Sequence, residues 1–195
     1  RNSKADIIGI CEIYEGQEEE IIKKLRKLGY RFFFFGKGHK FRYNGRHVVE
    51  VIASKIKGKQ LDFNEWPVEN HLGGGGGFVV CKFPKIKTNI FLAHLGFPTK
   101  KYYFEQIRHI QDILKNLKGK NILMGDFNEE YYKIRVHFPD LNLVTNNIKT
   151  CSFTPILKWF CHKDMDHIMV KGFKRIGAGT FQGFSDHKLI YADLK

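Results

Sequence analysis

The sequence has 195 residues, a length that suits one domain with a substantial core, and 43% of them are hydrophobic, including 18 Phe. No apolar run approaches the ~18 residues of a membrane span and nothing resembles a signal peptide, which argues against a helical membrane protein and points to an intracellular setting. Lys and Arg number 33 against 20 Asp and Glu; the charge of +13 favours a polyanionic partner, nucleic acid or an anionic membrane surface, with a merely soluble basic exterior as the alternative.

In chain order, residues 5–10 are a compact apolar strand with Cys11 and Glu12 at its C-terminal end. A lone Glu there is ordinarily a solvated strand end. Residues 17–28 predict a helix: Ile21, Ile22, Leu25 and Leu28 recur at helical spacing, acids fill the first turn and bases the later ones, and Gly29 provides the stop. Residues 31–35 and 48–53 predict two further strands. Between them, residues 39–46 form a basic, aromatic loop (Lys40, Arg42, Tyr43, Arg46) that suits a phosphate backbone and stacked bases, or equally an exposed hairpin tip. Residues 55–72 are polar and loop-like. The five glycines 73–77 lack the Lys-Ser or Lys-Thr of a P-loop and read as a hairpin turn into a strand at 78–83.

Residues 89–93 are the next strand, with His94 at its end; histidine there is more often structural than catalytic. Residues 102–117 predict a second helix, with Phe104, Ile107, Ile110, Leu114 and Leu117 on one face, and a strand follows at once. That strand, Ile122-Leu123-Met124, is a short apolar run, long enough to be buried on both faces. Gly125 breaks it, and Asp126 and Asn128 follow where α/β proteins place their ligands. Asp126 can bind a cation or orient a water and Asn128 can donate to an anionic oxygen; the alternative is a turn capping a helix that begins near Glu129. Residues 129–137 predict a short helix, 139–150 a turn and strand, 151–163 a hairpin carrying Trp159 and Phe160, and 165–170 a strand with an Asp166-His167 pair. Residues 173–180 read as a connector, and Ser185-Asp186-His187 precedes the last strand, 189–194. Of the cysteines, Cys11 and Cys81 read as reduced core residues, and Cys151 with Cys161-His162 fits no usual zinc spacing.

Glu12, His94, Asp126, Asn128, Asp166, Asp186 and His187 all fall at or beside predicted strand ends, so they can converge on one rim of a sheet. The set holds what metal-assisted phosphoester hydrolysis needs: carboxylates for Mg2+, a histidine paired with an Asp to move a proton, and donors for the transition state.

Cys11-Glu12, the Gly-Asp-Phe-Asn of 125–128, the Met-Asp-His-Ile of 165–168 and the Ser-Asp-His of 185–187 occur in an order that resembles the endonuclease/exonuclease/phosphatase superfamily. That group includes deoxyribonucleases, apurinic/apyrimidinic endonucleases, neutral sphingomyelinases, inositol polyphosphate 5-phosphatases and deadenylases. The resemblance spans nearly the whole chain and implies a two-sheet α/β sandwich flanked by helices, as one domain over 1–195. It implies Glu12 and Asp186 as metal ligands for Mg2+, with Mn2+ as a substitute. Asp126 would orient or activate the attacking water, Asn128 would contact phosphate and water, and His187 would be the catalytic histidine oriented by Asp166. His94 resembles the histidine that contacts the scissile phosphate in the deoxyribonuclease and sphingomyelinase branches. Family members usually open with a strand ending in a metal-site Asn; only five residues precede Asp6, so that first strand is expected to be missing. Lys188-Leu189 stands where many members have a Pro two after the His, a change expected to be tolerated. The expected activity is Mg2+-dependent hydrolysis of nucleic acid. A phosphatase or phosphodiesterase acting on inositol phosphates or lipid head groups is the alternative, and a nucleic-acid-binding module without turnover is a third.

Overall fold

The computed structural model describes residues 4–38, 47–63, 74–97, 101–152, 162–181 and 185–195. In chain order these form β1 (Ile7–Tyr14), α1 (Glu18–Lys27), β2 (Phe32–Phe35), β3 (Lys37–Gly38), β4 (Val48–Ser54), β5 (Lys59–Leu61) and β6 (Gly74–Phe83). Then come β7 (Thr88–Gly96), α2 (Lys101–Asn116), β8 (Lys120–Asp126), the single-turn α3 (Tyr131–Ile134), β9 (Asn142–Leu143), β10 (Cys151–Ser152) and β11 (His162–Lys163). β12 (Asp166–Lys171), β13 (Arg175–Phe181) and β14 (Leu189–Leu194) complete the chain. The basic loop at 39–46, Gly73, Lys100 and the hairpin residues 153–161, including Trp159, Phe160 and Cys161, lie outside the described residues.

The principal sheet is seven-stranded, β3-β6-β7-β8-β12-β9 with β5 also on β6, and a smaller antiparallel sheet runs β1-β4-β2. β7 is buried at all nine positions, because both of its faces are covered. Ile90 and Leu92 point toward the smaller sheet and pack with Ile52, Val79, Cys81, Phe83 and partly buried Ile7 and Phe34. Phe91, Ala93 and Leu95 point the other way, against Tyr103, Ile107 and Ile110 of α2 and Ile134 of α3. Each such side chain taken out of water contributes ~1.5–3 kcal/mol. β7 and β8 are parallel, and α2 is the crossover that parallel pairing requires. α1 covers the outer face of the smaller sheet through Leu25 and Ile21, its acidic first turn and basic last turn matching the helix dipole. The β13–β14 hairpin rests on the inner face of the principal sheet, where Ile190, Ala192 and Leu194 meet Ile122, Met124, Ile168 and Val170. The result is a mixed α/β sandwich flanked by helices. No helix among the described residues is long and apolar enough to cross a membrane.

Three local readings are corrected. Glycines 74–77 are not a turn but the first part of β6, pairing with the Gly96 and His94 end of β7 across an irregularity in register. The connector at 173–180 is the strand β13, whose alternation is hidden by Gly177 and Gly179; a Cβ on Gly179 would come within 2.8 Å of the Tyr191 ring. β1 does not stop at Ile10. It continues to Tyr14 through a bulge between Ile10 and Ile13, and Glu12 lies inside that bulge.

Candidate active site

The register of three adjacent strands sets the site. His94 on β7 lies opposite Asp126 on β8, and Asp126 lies opposite Asp166 on β12. Residues directly opposite share a face, so the three side chains form a row at one end of the sheet. Side chains alternate, and Leu92, Met124 and Ile168, two residues from each, all point toward the inner layers. The row therefore faces the seam between the layers. Glu50, two residues before the inward-facing Ile52 of β4, enters the same seam from the smaller sheet. Two residues here have positive φ: Glu12 and Asn128, at 60° and 50°, a region L side chains rarely adopt.

His187 closes the row from the loop before β14. Its Nδ1 is 2.8 Å from Oδ2 of Asp166 and 3.9 Å from Oδ2 of Asp126. A carboxylate can only accept, so Nδ1 carries the proton and Nε2 is left basic. Thr150, fully buried, ties these pieces together: its hydroxyl accepts from the backbone N–H of Met165 and Asp166 (3.1 Å each) and its carbonyl accepts from Lys188 N–H (2.7 Å). The N-terminus of β12 and the His187 loop are thus anchored to one residue. Ser185 adds a local clasp, accepting from His187 N–H and donating to Asp186, which is exposed.

Asp126 and Asn128 form a turn of their own rather than a helix cap. Asp126 Oδ1 accepts from Asn128 N–H (2.8 Å), and Asn128 Nδ2 donates to the Leu95 carbonyl (2.8 Å), fastening the loop to β7. The α3 N-cap is Glu130, with no side-chain bond. Asp126 Oδ2 stays open toward His94 Nε2 at 3.6 Å. Burial pushes the Asp126 carboxyl up to about 7; the charge of Asp166 adds to the rise, and His187 opposes it.

Behind the row lies a feature that local sequence reading misses. Glu50 is completely buried, neither carboxylate oxygen has a hydrogen-bond partner, and burial pushes its carboxyl well above the usual range. Its Oε1 is 3.9 Å from Nδ1 of His94, which is buried and also unpartnered. Glu12 reaches the same nitrogen at 3.9 Å from its half-exposed position. Burial holds His94 below the usual imidazole range, against the pull of Glu12 and Asp166. The available signal for Glu50 was one acid within the apolar run Val48-Val49-Glu50-Val51-Ile52.

Of the seven candidates, the structure gathers His94, Asp126, Asp166 and His187 into direct proximity, with Asn128 braced beside them. Glu12 meets the group through His94. His167, paired with Asp166 in sequence, is on the opposite face: it is buried, and its Nε2–H donates to the Glu129 carbonyl (2.8 Å). Ligand atoms of Asp126, Asp166 and His187 lie within 4.8 Å of one another, a grouping that could hold a metal ion. The Asp126 carboxyl, pushed up by burial and by the charge of the adjacent Asp166, forms with Asp166 a donor set that a hard divalent cation fits. Cys11 and Cys81 are free thiols, and burial pushes Cys81 up to about 12, so neither is a reactive centre.

Solved structures with this fold are numerous. A protein described as an endonuclease/exonuclease/phosphatase family protein from Leptotrichia buccalis superposes with a TM-score of 0.76 at 16% identity, covering 98% of this chain and 88% of that one. D. rerio TDP2 complexed with single-strand DNA product gives 0.67 at 14% identity, covering 97% and 86%. A Bacteroides thetaiotaomicron mannosyl-6-phosphatase gives 0.66 at 16% identity, covering 97% and 85%. Comparison with curated proteins gives no match. At these identities the superpositions speak for the fold alone. The sequence itself matches the family model described as Endonuclease/Exonuclease/phosphatase family over residues 1–187, from before β1 to the His187 that closes the row, and the chain belongs to that family of phosphoric ester hydrolases.

Proposed function

We propose that the protein is a divalent-cation-dependent phosphodiesterase acting on nucleic acid. The observation that carries the reading is the Asp166–His187 pair beside Asp126 and His94 at one end of the principal sheet. Asp126 Oδ2 orients a water and draws its proton. His187, held by Asp166 in the tautomer with a basic Nε2, carries protons at the scissile phosphate. His94 Nε2 and the Asn128 carboxamide contact the phosphate oxygens, and Glu50 lies behind the His94 ring, 3.9 Å from its Nδ1. Glu12 and Asp186, as the family resemblance implies, together with Asp126 of the Asp126, Asp166 and His187 grouping, would hold a Mg2+ ion, which would supply charge stabilisation to the phosphoryl oxygens. Nucleic acid is favoured by the charge of +13 and by the DNA product named with the D. rerio structure. Phosphatase action on a small phosphomonoester is the second reading, favoured by the mannosyl-6-phosphatase of similar fold.

The test is a panel of labelled DNA, RNA, phosphoinositides and sugar phosphates, assayed with Mg2+ and with excess chelator. Cleavage of a polynucleotide is expected to be fastest and to vanish in chelator, and Glu12→Gln should raise the Mg2+ concentration needed for half-activity. Affinity of an inactive variant for a short duplex should fall steeply with salt, the logarithm changing by about −0.7 to −0.9 per phosphate contact. Undiminished hydrolysis in chelator rejects the metal assignment. A flat salt dependence with faster release of phosphate from a small ester rejects the substrate assignment.

A further inference from the structure

The end of the principal sheet opposite the catalytic row is crowned with lysine. Lys120 opens β8 opposite Thr88, the start of β7, and Lys82 on β6 lies opposite Asn89. The pieces are contiguous: Lys120 N–H donates to the Lys87 carbonyl (3.4 Å), and the Lys118 carbonyl accepts from Asn89 (3.0 Å). Lys120 Nζ sits 4.6 Å over the Phe173 ring, and Lys174 exchanges two backbone hydrogen bonds with Lys195. Lys82, Lys85, Lys87, Lys118, Lys120 and Lys174 are all exposed. Among the described residues no carboxylate makes an ion pair with any of the six; the bridges nearest in the chain are Lys115 to Asp112, at 3.1 Å, and Lys171 to Asp140, at 3.9 Å.

Asp126 lies six residue steps along β8 from Lys120, about 20 Å at ~3.3 Å per residue. That exceeds two Debye lengths at physiological salt, so these charges do little for a phosphate held at the catalytic row. Edge protection does not account for them either. Lys59 on the short outer strand β5 can serve that purpose, but Lys82 directly opposite it is on an interior strand, and facing like charges weaken a sheet. At the tip, the tight turn Pro84–Ile86 lifts Ile86 into solvent between Lys85 and Lys87, with 38% of its surface exposed. Phe173, the ring beneath Lys120, is only partly exposed and covered by that ammonium, and so is a poor base-stacking platform.

We propose that this lysine-crowned end is a docking surface for an anionic lipid bilayer, with Ile86 entering the headgroup boundary and the ammonium groups pairing with lipid phosphates and carboxylates. Docked this way, the protein turns its catalytic crevice away from the membrane. The proposal stands independently of the reaction assigned to that crevice.

Co-sedimentation with vesicles of phosphatidylcholine, alone or mixed with phosphatidylserine, tests it. The wild-type chain should bind the mixed vesicles and not the zwitterionic ones. The triple variant Lys85→Glu, Lys87→Glu, Lys120→Glu should bind on the order of 100-fold more weakly. Ile86→Ser should weaken binding several-fold, by a factor that persists when salt is raised. Reversal of Lys23, Lys24 and Lys27 on α1 changes net charge equally and should leave most of the binding intact. Circular dichroism confirms folding, and the Lys→Gln triple replaces the Glu triple if that one does not fold. Equal losses in the two triple variants, or no preference of the wild type for anionic vesicles, would overturn the proposal. So would a Lys85/Lys87/Lys120 variant that loses affinity for a short DNA duplex but not for vesicles, which would make this end a nucleic-acid surface.

Discussion

Asp126→Asn and His187→Ala are each expected to lower turnover by at least ~10²-fold, the scale of losing a positioned acid–base or electrostatic group. The two losses should not add in the double variant, because both groups serve one proton path. Glu50→Gln, one step removed behind His94, should cost less and change the pH profile more than the affinity. Neither of the first two changes should unfold the protein. For Asp126 the sign is the reverse of a structural residue's. Its folded carboxyl titrates at about 7, above the ordinary value of 3.8. As pH rises from about 4 the unfolded chain ionises first, and stability is progressively lost until pH passes 7. Above pH 7, without divalent cation, Asp126→Asn should therefore melt higher than the wild type. Added Mg2+ should raise the wild-type melting temperature and leave the variant's almost unchanged. If Asp126→Asn turns over normally, or melts lower than wild type at pH 8 without cation, the role given to Asp126 is wrong.

Gly125→Ala is expected to be the most damaging single methyl group in the chain. Gly125 has φ of 139°, and a Cβ there would overlap the carbonyl oxygen of Ala93 on the neighbouring parallel strand. Neither backbone can retreat, since β7 is buried along its length and both strands are held in register. Strain and steric conflict together should cost about 3 kcal/mol or more, lowering the melting temperature by roughly 10 °C in a chain of this size. Activity should fall as well, because Asp126 is the next residue. Gly16→Ala separates the causes. Its φ is 91°, but nothing lies within 4 Å of the added methyl, so only the backbone strain remains, on the order of 1 kcal/mol. Melting temperatures for the two variants that match would show that crowding against Ala93 plays no part.

What the sequence reveals about the site follows from how local each signal is. The turns at Gly125-Asp126-Phe127-Asn128 and Ser185-Asp186-His187 are legible because each is made within three residues of chain, at a strand end. The core strands are legible for the same reason: Thr88–Gly96 and Lys120–Asp126 are apolar runs flanked by turns. Thr150 is not legible, since its contribution runs through backbone groups of Met165, Asp166 and Lys188 brought together only by the fold. Glu50 looks like a solvated strand residue until β4 is turned inward by its pairing with β1 and β2. Glycines 74–77 invite a turn by composition, and the ladder offered by β7 overrides that preference.

The division of the site between two layers has a consequence in time. Glu12 and Glu50 ride on β1 and β4, while His94, Asp126 and Asp166 ride on the principal sheet, and among the described residues no strand ladder joins the two. β7 is buried throughout, whereas β1 is bulged, only partly covered and paired on one side. Amide hydrogens of β7 should exchange with solvent only when the whole molecule opens, and those of β1 through smaller, more frequent openings. Each of those lesser openings carries Glu12 away from the crevice while the Asp166–His187 pair stays formed. A ligand held between the layers should therefore slow exchange in β1 by the full measure of its occupancy, and the crevice would empty at the rate at which the smaller sheet breathes.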